Sequence, residues 1–425
     1  MEKVSKRNFA NITEIDYKGK ISIKKFNDVL LQLLVWLIVF DSARNYTYLP
    51  DAFGYLKDVI MIWFIIWLLI NRKLKFPKMG IAFYLLMFLV CFYSWIGIFN
   101  SNGISKLTIV IYIVKNIGFF IAIIVFWNLD KIIDYKYSKY INLYLTLSLV
   151  LVAVNIFGYF VPNPIVGRSI DIHIGNGYYQ NRISVGQPSI AVFPMIISYF
   201  YTFLFVKEKK VLKMIIYILG IVIAISTTGI LTIVVGQIII LFFSNNMSKD
   251  TIRKLYKFII TLLLVGFVLW LMIKDTEVYQ NAYEMLYIKL SAFFTGNYTD
   301  LSMVTRNNKF EVARRTMKTL GEKVFGRGAY GYYTNNSQIG NIENTYRSVF
   351  LAYGYFGEFV FILFWIKNIG NNLYKFINGK NIVNLFIAIL CIIYMLHAYT
   401  LDILYTSTIL LSFGLFFAID RFRTE

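Results

Sequence analysis

Four charged residues outside the apolar blocks have the types and settings for chemistry on an anionic substrate: Arg182, Arg306, Arg327 and Glu343. A guanidinium presents its donors as a planar fork that can hold two oxygens of a phosphate or carboxylate at once. Arg306 lies one turn before Phe310, in line with an apolar stripe of Phe310, Ala313, Met317 and Leu320. An arginine on the buried face of an interfacial helix either snorkels to the headgroups or meets an anion. The same alternatives hold for Arg182 and Arg327. Glu343 stands at a loop–helix junction with Asn344 and Tyr346 beside it. It reads either as a solvated loop carboxylate or as a general base, and partial burial would strengthen it in the second role. Metal chemistry is not indicated. No Asp-x-Asp pair is present, and His173 and His397 have no second ligand at a useful spacing. Cys91 and Cys391 both fall inside apolar runs and say nothing of disulfides.

The elements that must position these residues are membrane spans. Of the 425 residues 58% are hydrophobic, and they fall in long blocks with no period of 2 or 3.6. Blocks of about 20 residues match the hydrocarbon thickness, and spanning segments must satisfy their own backbone groups, so they are read as helices. The expected fold is all-α, a polytopic membrane protein of about twelve transmembrane helices. The spans are placed at 28–43, 53–70, 79–99, 107–127, 139–161, 183–206, 211–226, 229–243, 258–273, 346–366, 382–398 and 404–420. Lys115 falls in the middle of the fourth span, where it is costly without a partner, and Glu358 of the tenth is one candidate.

Charge distribution orients the bundle. Net charge is +20, but Lys and Arg crowd into alternate short segments between the blocks, such as 71–78, 207–210, 244–257 and 367–381. This is the positive-inside pattern of cytoplasmic loops, and it replaces the nucleic-acid partner that a basic chain would otherwise suggest. The basic tail 1–27 is too long for the n-region of a cleavable signal and is expected in the cytoplasm. Residues 211–243 could form one long helix, but the basic segments on both sides and the break Ser226-Thr227-Thr228-Gly229 favour two short ones. Helices one to nine then cover 28–273, a large extracytoplasmic loop covers 274–345, and the last three helices and a short tail cover 346–425. Long loops in a compact protein are usually functional. Within this one, Tyr279, Tyr283, Leu286, Leu290 and Phe294 suggest an interfacial helix, and Tyr330, Tyr332 and Tyr333 could stack on sugar faces.

From Arg306 the chain reads R-N-N-K-F-E-V-A-R-R, then G-R-G-A-Y-G, then E-N-T-Y-R-S-V-F-L-A-Y-G-Y-F-G. This resembles the C-terminal signature of the O-antigen polymerase/O-antigen ligase family, the Wzy- and WaaL-type proteins. Arg306, Gly326, Gly328, Glu343, Asn344, Tyr346, Gly354 and Gly357 occupy the signature positions, and Arg182-Ile-Ser-Val-Gly186 looks like an upstream Arg-x-x-x-Gly element. Two departures stand out. Ligases of the family carry His where this chain has Glu343, and many members carry Ser-Arg where it has Thr227-Thr228.

The resemblance implies a polysaccharide polymerase of the bacterial cytoplasmic membrane, active at its outer face. It would join oligosaccharide repeats carried on undecaprenyl pyrophosphate by glycosyl transfer without a metal or other cofactor. Arg306 and Glu343 would be catalytic. Arg182, Arg327, Asn344 and Tyr346 would bind substrate, with Arg182 or Arg327 replacing the absent Ser-Arg arginine. Donor and acceptor would both be lipid-linked oligosaccharides, and a flippase and a chain-length regulator would be natural partners. Transfer of finished glycan to another acceptor, as in a ligase, is one alternative. A flippase or transporter is another, although it would be expected to show internal repeats and compact loops. A membrane scaffold without catalysis is the third.

Overall fold

The computed structural model describes residues 23–40, 52–134, 136–160, 168–171, 180–183, 188–224, 226–243, 301–333 and 342–422, with the single positions 253, 274 and 287. It is helical throughout apart from one hairpin, a small departure from the all-α expectation. The elements are α1 (Ile23–Phe40), α2 (Ala52–Ile70), α3 (Ile81–Asn100), α4 (Lys106–Trp127) and α5 (Ser138–Phe160). The antiparallel pair β1 (Arg168–Asp171) and β2 (Gln180–Ile183) follows, then α6 (Pro188–Phe205), α7 (Lys210–Ile223) and α8 (Thr227–Phe242). After these come α9 (Leu301–Arg314), α10 (Leu320–Phe325), α11 (Thr345–Gly379), α12 (Ile382–Ala398) and α13 (Ser407–Phe417).

Among the described residues, four helices are long and apolar enough to cross a membrane: α3, α4, α5 over Ser138–Phe157, and α11. Ser189–Phe205, Thr227–Phe242 and Ile382–Ala398 are apolar but shorter. Residues 211–243 are not one helix. Helix α7 stops at Ile223 and α8 restarts at Thr227, where the Ser226 hydroxyl accepts the Gly229 amide at 3.2 Å as an N-cap. The ninth expected span, the stripe from Tyr279 to Phe294 and His173 lie outside the described residues.

The helices share one aromatic core. Trp365 of α11 stacks on Tyr394 of α12 at 5.4 Å between centroids, and Tyr394 meets Phe413 of α13 edge-on at 4.4 Å. Offset and edge-to-face pairs of this kind add to area burial. Helices α4 and α13 run close because Gly414 lacks a side chain; a Cβ there would sit 3.0 Å from the Ala122 backbone. At the end of the bundle away from Glu343, charged residues clasp the chain's extremities. Asp28 of α1 pairs with Lys139 at 2.9 Å, Lys24 with Asp134, and Arg421 with Asp130 at 2.9 Å.

Helix α11 is the element that builds the site. It runs 35 residues but breaks at Gly354, whose φ is +66°. The break leaves the carbonyls of Leu351 and Ala352 without helical donors, and the chain between α10 and residue 333 supplies them. The Arg327 amide donates to Leu351 O at 3.1 Å and the Gly328 amide to Ala352 O at 2.9 Å, while Ala329 donates to Ser94 O of α3 at 3.0 Å. A kink inside an apolar bundle is tolerated only where other protein groups satisfy the freed backbone.

Candidate functional site

Three glycines make the kink and its supporting turn possible. Gly326 and Gly328 take φ of +77° and +78°, a region closed to most side chains. A Cβ on Gly326 would sit 2.3 Å from the Ala352 carbonyl carbon, one on Gly328 2.2 Å from the Gly97 amide nitrogen, and one on Gly354 2.3 Å from the Val324 carbonyl carbon. The turn is therefore pressed backbone to backbone between α3 and α11. Below it, Ala329, Tyr330, Tyr332, Ala313, Met317, Ile342 and Phe350 form a second buried cluster against Ile109, Tyr112 and Ile113 of α4. Tyr330, a non-glycine at φ +55°, is held edge-on to Tyr112 at 4.4 Å. These loop tyrosines are packing residues: Tyr330 and Tyr332 are buried, so neither offers a face to a sugar. The apolar stripe that starts on α9 ends just beyond it at Met317, and Leu320 is exposed because a new helix, capped by Thr319, begins there.

Glu343 is held between buried neighbours. Ile342 is buried in the second cluster, and Asn344 is the N-cap of α11, accepting the Arg347 amide at 3.1 Å. The Asn344 amide also donates to Tyr399 O at 2.8 Å, and Thr345 bonds the α12–α13 loop at both Leu401 and Ile403. Between these anchors the Glu343 carboxylate projects toward α9. There Arg306 grips a single oxygen, Oε2, with Nε at 3.0 Å and Nη2 at 2.5 Å. Among the described residues, Glu343 Oε1 and Arg306 Nη1 have no partner. The Arg306 and Glu343 side chains are 26% and 43% exposed, so water and a soluble headgroup can reach both, and Glu343 is partly buried.

Other expected site residues have structural work. Arg327 donates to Thr316 O at 2.7 Å and Asn100 O at 3.4 Å, with Glu322 at 3.5 Å from its Nε. Its donors are turned inward to hold the turn, which removes it as a ready phosphate ligand. Tyr346 donates to Met395 O at 3.0 Å and packs edge-on to Phe361 at 5.6 Å. It and Asn344 orient the start of α11 rather than open into the site. Arg182 lies on β2 opposite Ser169, and its side chain lies outside the described residues. Thr228 reaches the same end of the bundle, bonding Thr400 at 3.2 Å. Glu322 caps its own helix, and the Thr319 amide beside it holds its carboxyl below the ordinary range.

No model of a known protein family matches this chain, and no curated protein matches it. The site therefore has to be read from its own geometry. Among the described residues no three His, Cys, Asp or Glu side chains gather to share a cation. His397 is fully buried, its Nδ1 at 3.0 Å from Ile393 O.

Two features escaped the sequence reading. Arg347, in the first turn of α11, lies over the Phe310 ring at 4.7 Å and donates to the Asn307 side chain at 3.0 Å. Glu343 precedes the N-cap Asn344, so no helical spacing ties Arg347 to it, and only the fold brings Arg347 to Asn307. Asp402, in the α12–α13 loop, is almost wholly buried and accepts from Tyr112 at 2.6 Å. Burial pushes its carboxyl up to about 6, although the bond from Tyr112 opposes the rise. Nothing local in the sequence marks it, because it is joined to Tyr112 only by the fold. Lys115, finally, donates to Tyr405 at 3.2 Å and lies over that ring at 4.4 Å; it makes no ion pair with Glu358 among the described residues.

Proposed function

We propose that this chain is a polysaccharide polymerase of about twelve membrane spans. In this reading residues 274–345 face outward, and the repeats to be joined arrive on undecaprenyl pyrophosphate at the outer face of a bacterial cytoplasmic membrane. The observation that carries the reading is the Arg306–Glu343 pair: an anion-holding fork and a carboxylate with one free oxygen, on separate elements at the end of an apolar bundle.

The chemistry follows from displacement of one anion by another. The donor's diphosphate takes the Arg306 fork, which releases Glu343 Oε2. The freed carboxylate accepts the proton of an acceptor sugar hydroxyl as that oxygen forms a bond to the donor's anomeric carbon. The bond from that carbon to the diphosphate oxygen breaks, and undecaprenyl pyrophosphate departs with the electron pair. Its charge is stabilised by a preorganised guanidinium in a site of lower dielectric than water. Until a donor binds, Glu343 is held by Arg306, so the base is least available when only water could react. Arg182 remains a candidate second ligand from the other loop.

Glu343→Gln keeps the size and most of the hydrogen bonding, so insertion and folding should survive. Removal of a general base costs about 10²–10⁴ in rate. Cells relying on the variant should accumulate single lipid-linked repeats and lose long polymer. Normal polymer at normal levels would remove Glu343 from the role. Long polymer that forms but stays on its lipid carrier would replace polymerase by ligase.

A further inference from the structure

We infer that Arg347 is a second guanidinium of the same anion site, and that together with Arg306 it makes the site selective for a diphosphate over a monophosphate. The inference rests on the proposed function, since it assigns a ligand class to that site. Three observations carry it. First, Arg306 and Arg347 reach across one junction from opposite sides: Arg306 of α9 bonds Glu343, and Arg347 of α11 bonds Asn307, the residue after Arg306. Second, Arg347 is already oriented. Its guanidinium lies over the Phe310 ring at 4.7 Å with Nη2 committed to Asn307, which leaves the Nε and Nη1 donors with no acceptor among the described residues. An aromatic face under a guanidinium fixes its plane while its edge stays free for a ligand. Third, the charges do not balance. Two cations stand at a junction with one carboxylate, which is bonded to Arg306 and not to Arg347.

A single fork can hold one phosphate group, and Arg306 would do so once Glu343 lets go. A diphosphate carries a second group a bond away, and a second fork fixed on the neighbouring helix would meet it. The same arrangement supplies a cation that neither Thr227-Thr228 nor the inward-turned Arg327 provides. The phosphatidylglycerol headgroup carries one phosphate, so it would engage one fork only.

The test uses the full chain in nanodiscs of zwitterionic lipid, with farnesyl diphosphate and farnesyl monophosphate as probes. Wild type should bind the diphosphate about tenfold more tightly than the monophosphate, the order expected of one added charge-assisted pair of bonds. Arg347→Gln should bring the two affinities within about twofold of each other while monophosphate binding through Arg306 persists. Arg347→Lys should fall between, because it keeps charge and loses the fork. Each variant is melted in the same nanodiscs, and Met317→Ala, in the second buried cluster, serves as a packing control. If Met317→Ala lowers the melting temperature at least as far as Arg347→Gln while keeping the selectivity, the Arg347 effect is not one of stability; selectivity lost alike in both would make it one and overturn the inference. A wild-type preference that survives intact in Arg347→Gln overturns the inference and leaves the Arg306–Glu343 reading standing. Wild type that binds neither probe overturns both. A preference abolished by adding phosphatidylglycerol to the discs would make the pair a lipid-headgroup site and overturn the diphosphate assignment.

Discussion

At the residue scale the central question is whether the Arg306–Glu343 pair is a strut or a working pair. A half-exposed ion pair contributes about 0–1 kcal/mol to stability, so a purely structural role would leave little to lose. The charge-reversed double variant Arg306→Glu with Glu343→Arg keeps an ion pair across the same junction. We expect it to insert and melt close to wild type and to make no long polymer. Restored polymer would show that any salt bridge suffices and that neither residue touches substrate. Asp402 gives a second residue-level test, one of pH. Its folded value of about 6 lies above the ordinary aspartate value near 3.9, so the folded protein holds more protons across that window. The stability it contributes is complete below about pH 4 and is lost as pH rises through about 6, a change on the order of 3 kcal/mol at most. Asp402→Asn retains an acceptor for Tyr112 and should melt higher than wild type at pH 7, with the two curves converging near pH 4. A variant that melts several degrees lower at pH 7 would mean that the charge itself is needed there.

At the element scale the kinked α11 and the Gly326–Gly328 turn act as one piece. Gly354→Ala would force a side chain into a left-handed position and onto the Val324 carbonyl, and loss of the folded protein from membranes is the expected result. Gly370 in the same helix has nothing within 4 Å of where a Cβ would stand, so Gly370→Ala should be neutral or stabilise by about 0.5–1 kcal/mol. Thermal melts of the two in detergent would separate a kink that matters from a helix that merely contains glycines. The sequence made these glycines visible as a motif but not their purpose. Spacing alone could not say that Gly326 and Gly328 face the backbone of a break more than twenty residues on. The helical blocks themselves were legible because apolar runs bounded by basic turns have few other readings. The division at Ser226 was legible too, since a small polar cluster between apolar runs caps and turns. Side-chain roles were harder. Arg306 and Glu343 stood out by type and setting, whereas Arg327, Asn344 and Tyr346 carry the same letters as ligands yet spend their hydrogen bonds on Thr316, Tyr399 and Met395. Which way a guanidinium or hydroxyl turns depends on partners distant in the chain, and no local pattern encodes that.

At the scale of the whole molecule the prediction is topological. With Cys91 and Cys391 replaced, single cysteines at Ser302 and Ser248 should react with an impermeant thiol reagent only at the first, because the basic-loop alternation predicts them on opposite sides. Equal labelling, or the reverse, would turn the proposed site to the wrong side of the membrane for a polymerase. The seam between the turn and α11 bears on ancestry as well. Main-chain hydrogen bonds and absent side chains set the kink of the helix that begins beside Glu343, so mutation can rewrite most of the letters around that kink within an apolar alphabet without moving it. Lineages could then keep this geometry long after their sequences ceased to align. A search for kin would do better with the separations of Arg306, Gly326, Gly328, Glu343 and Gly354 than with overall similarity.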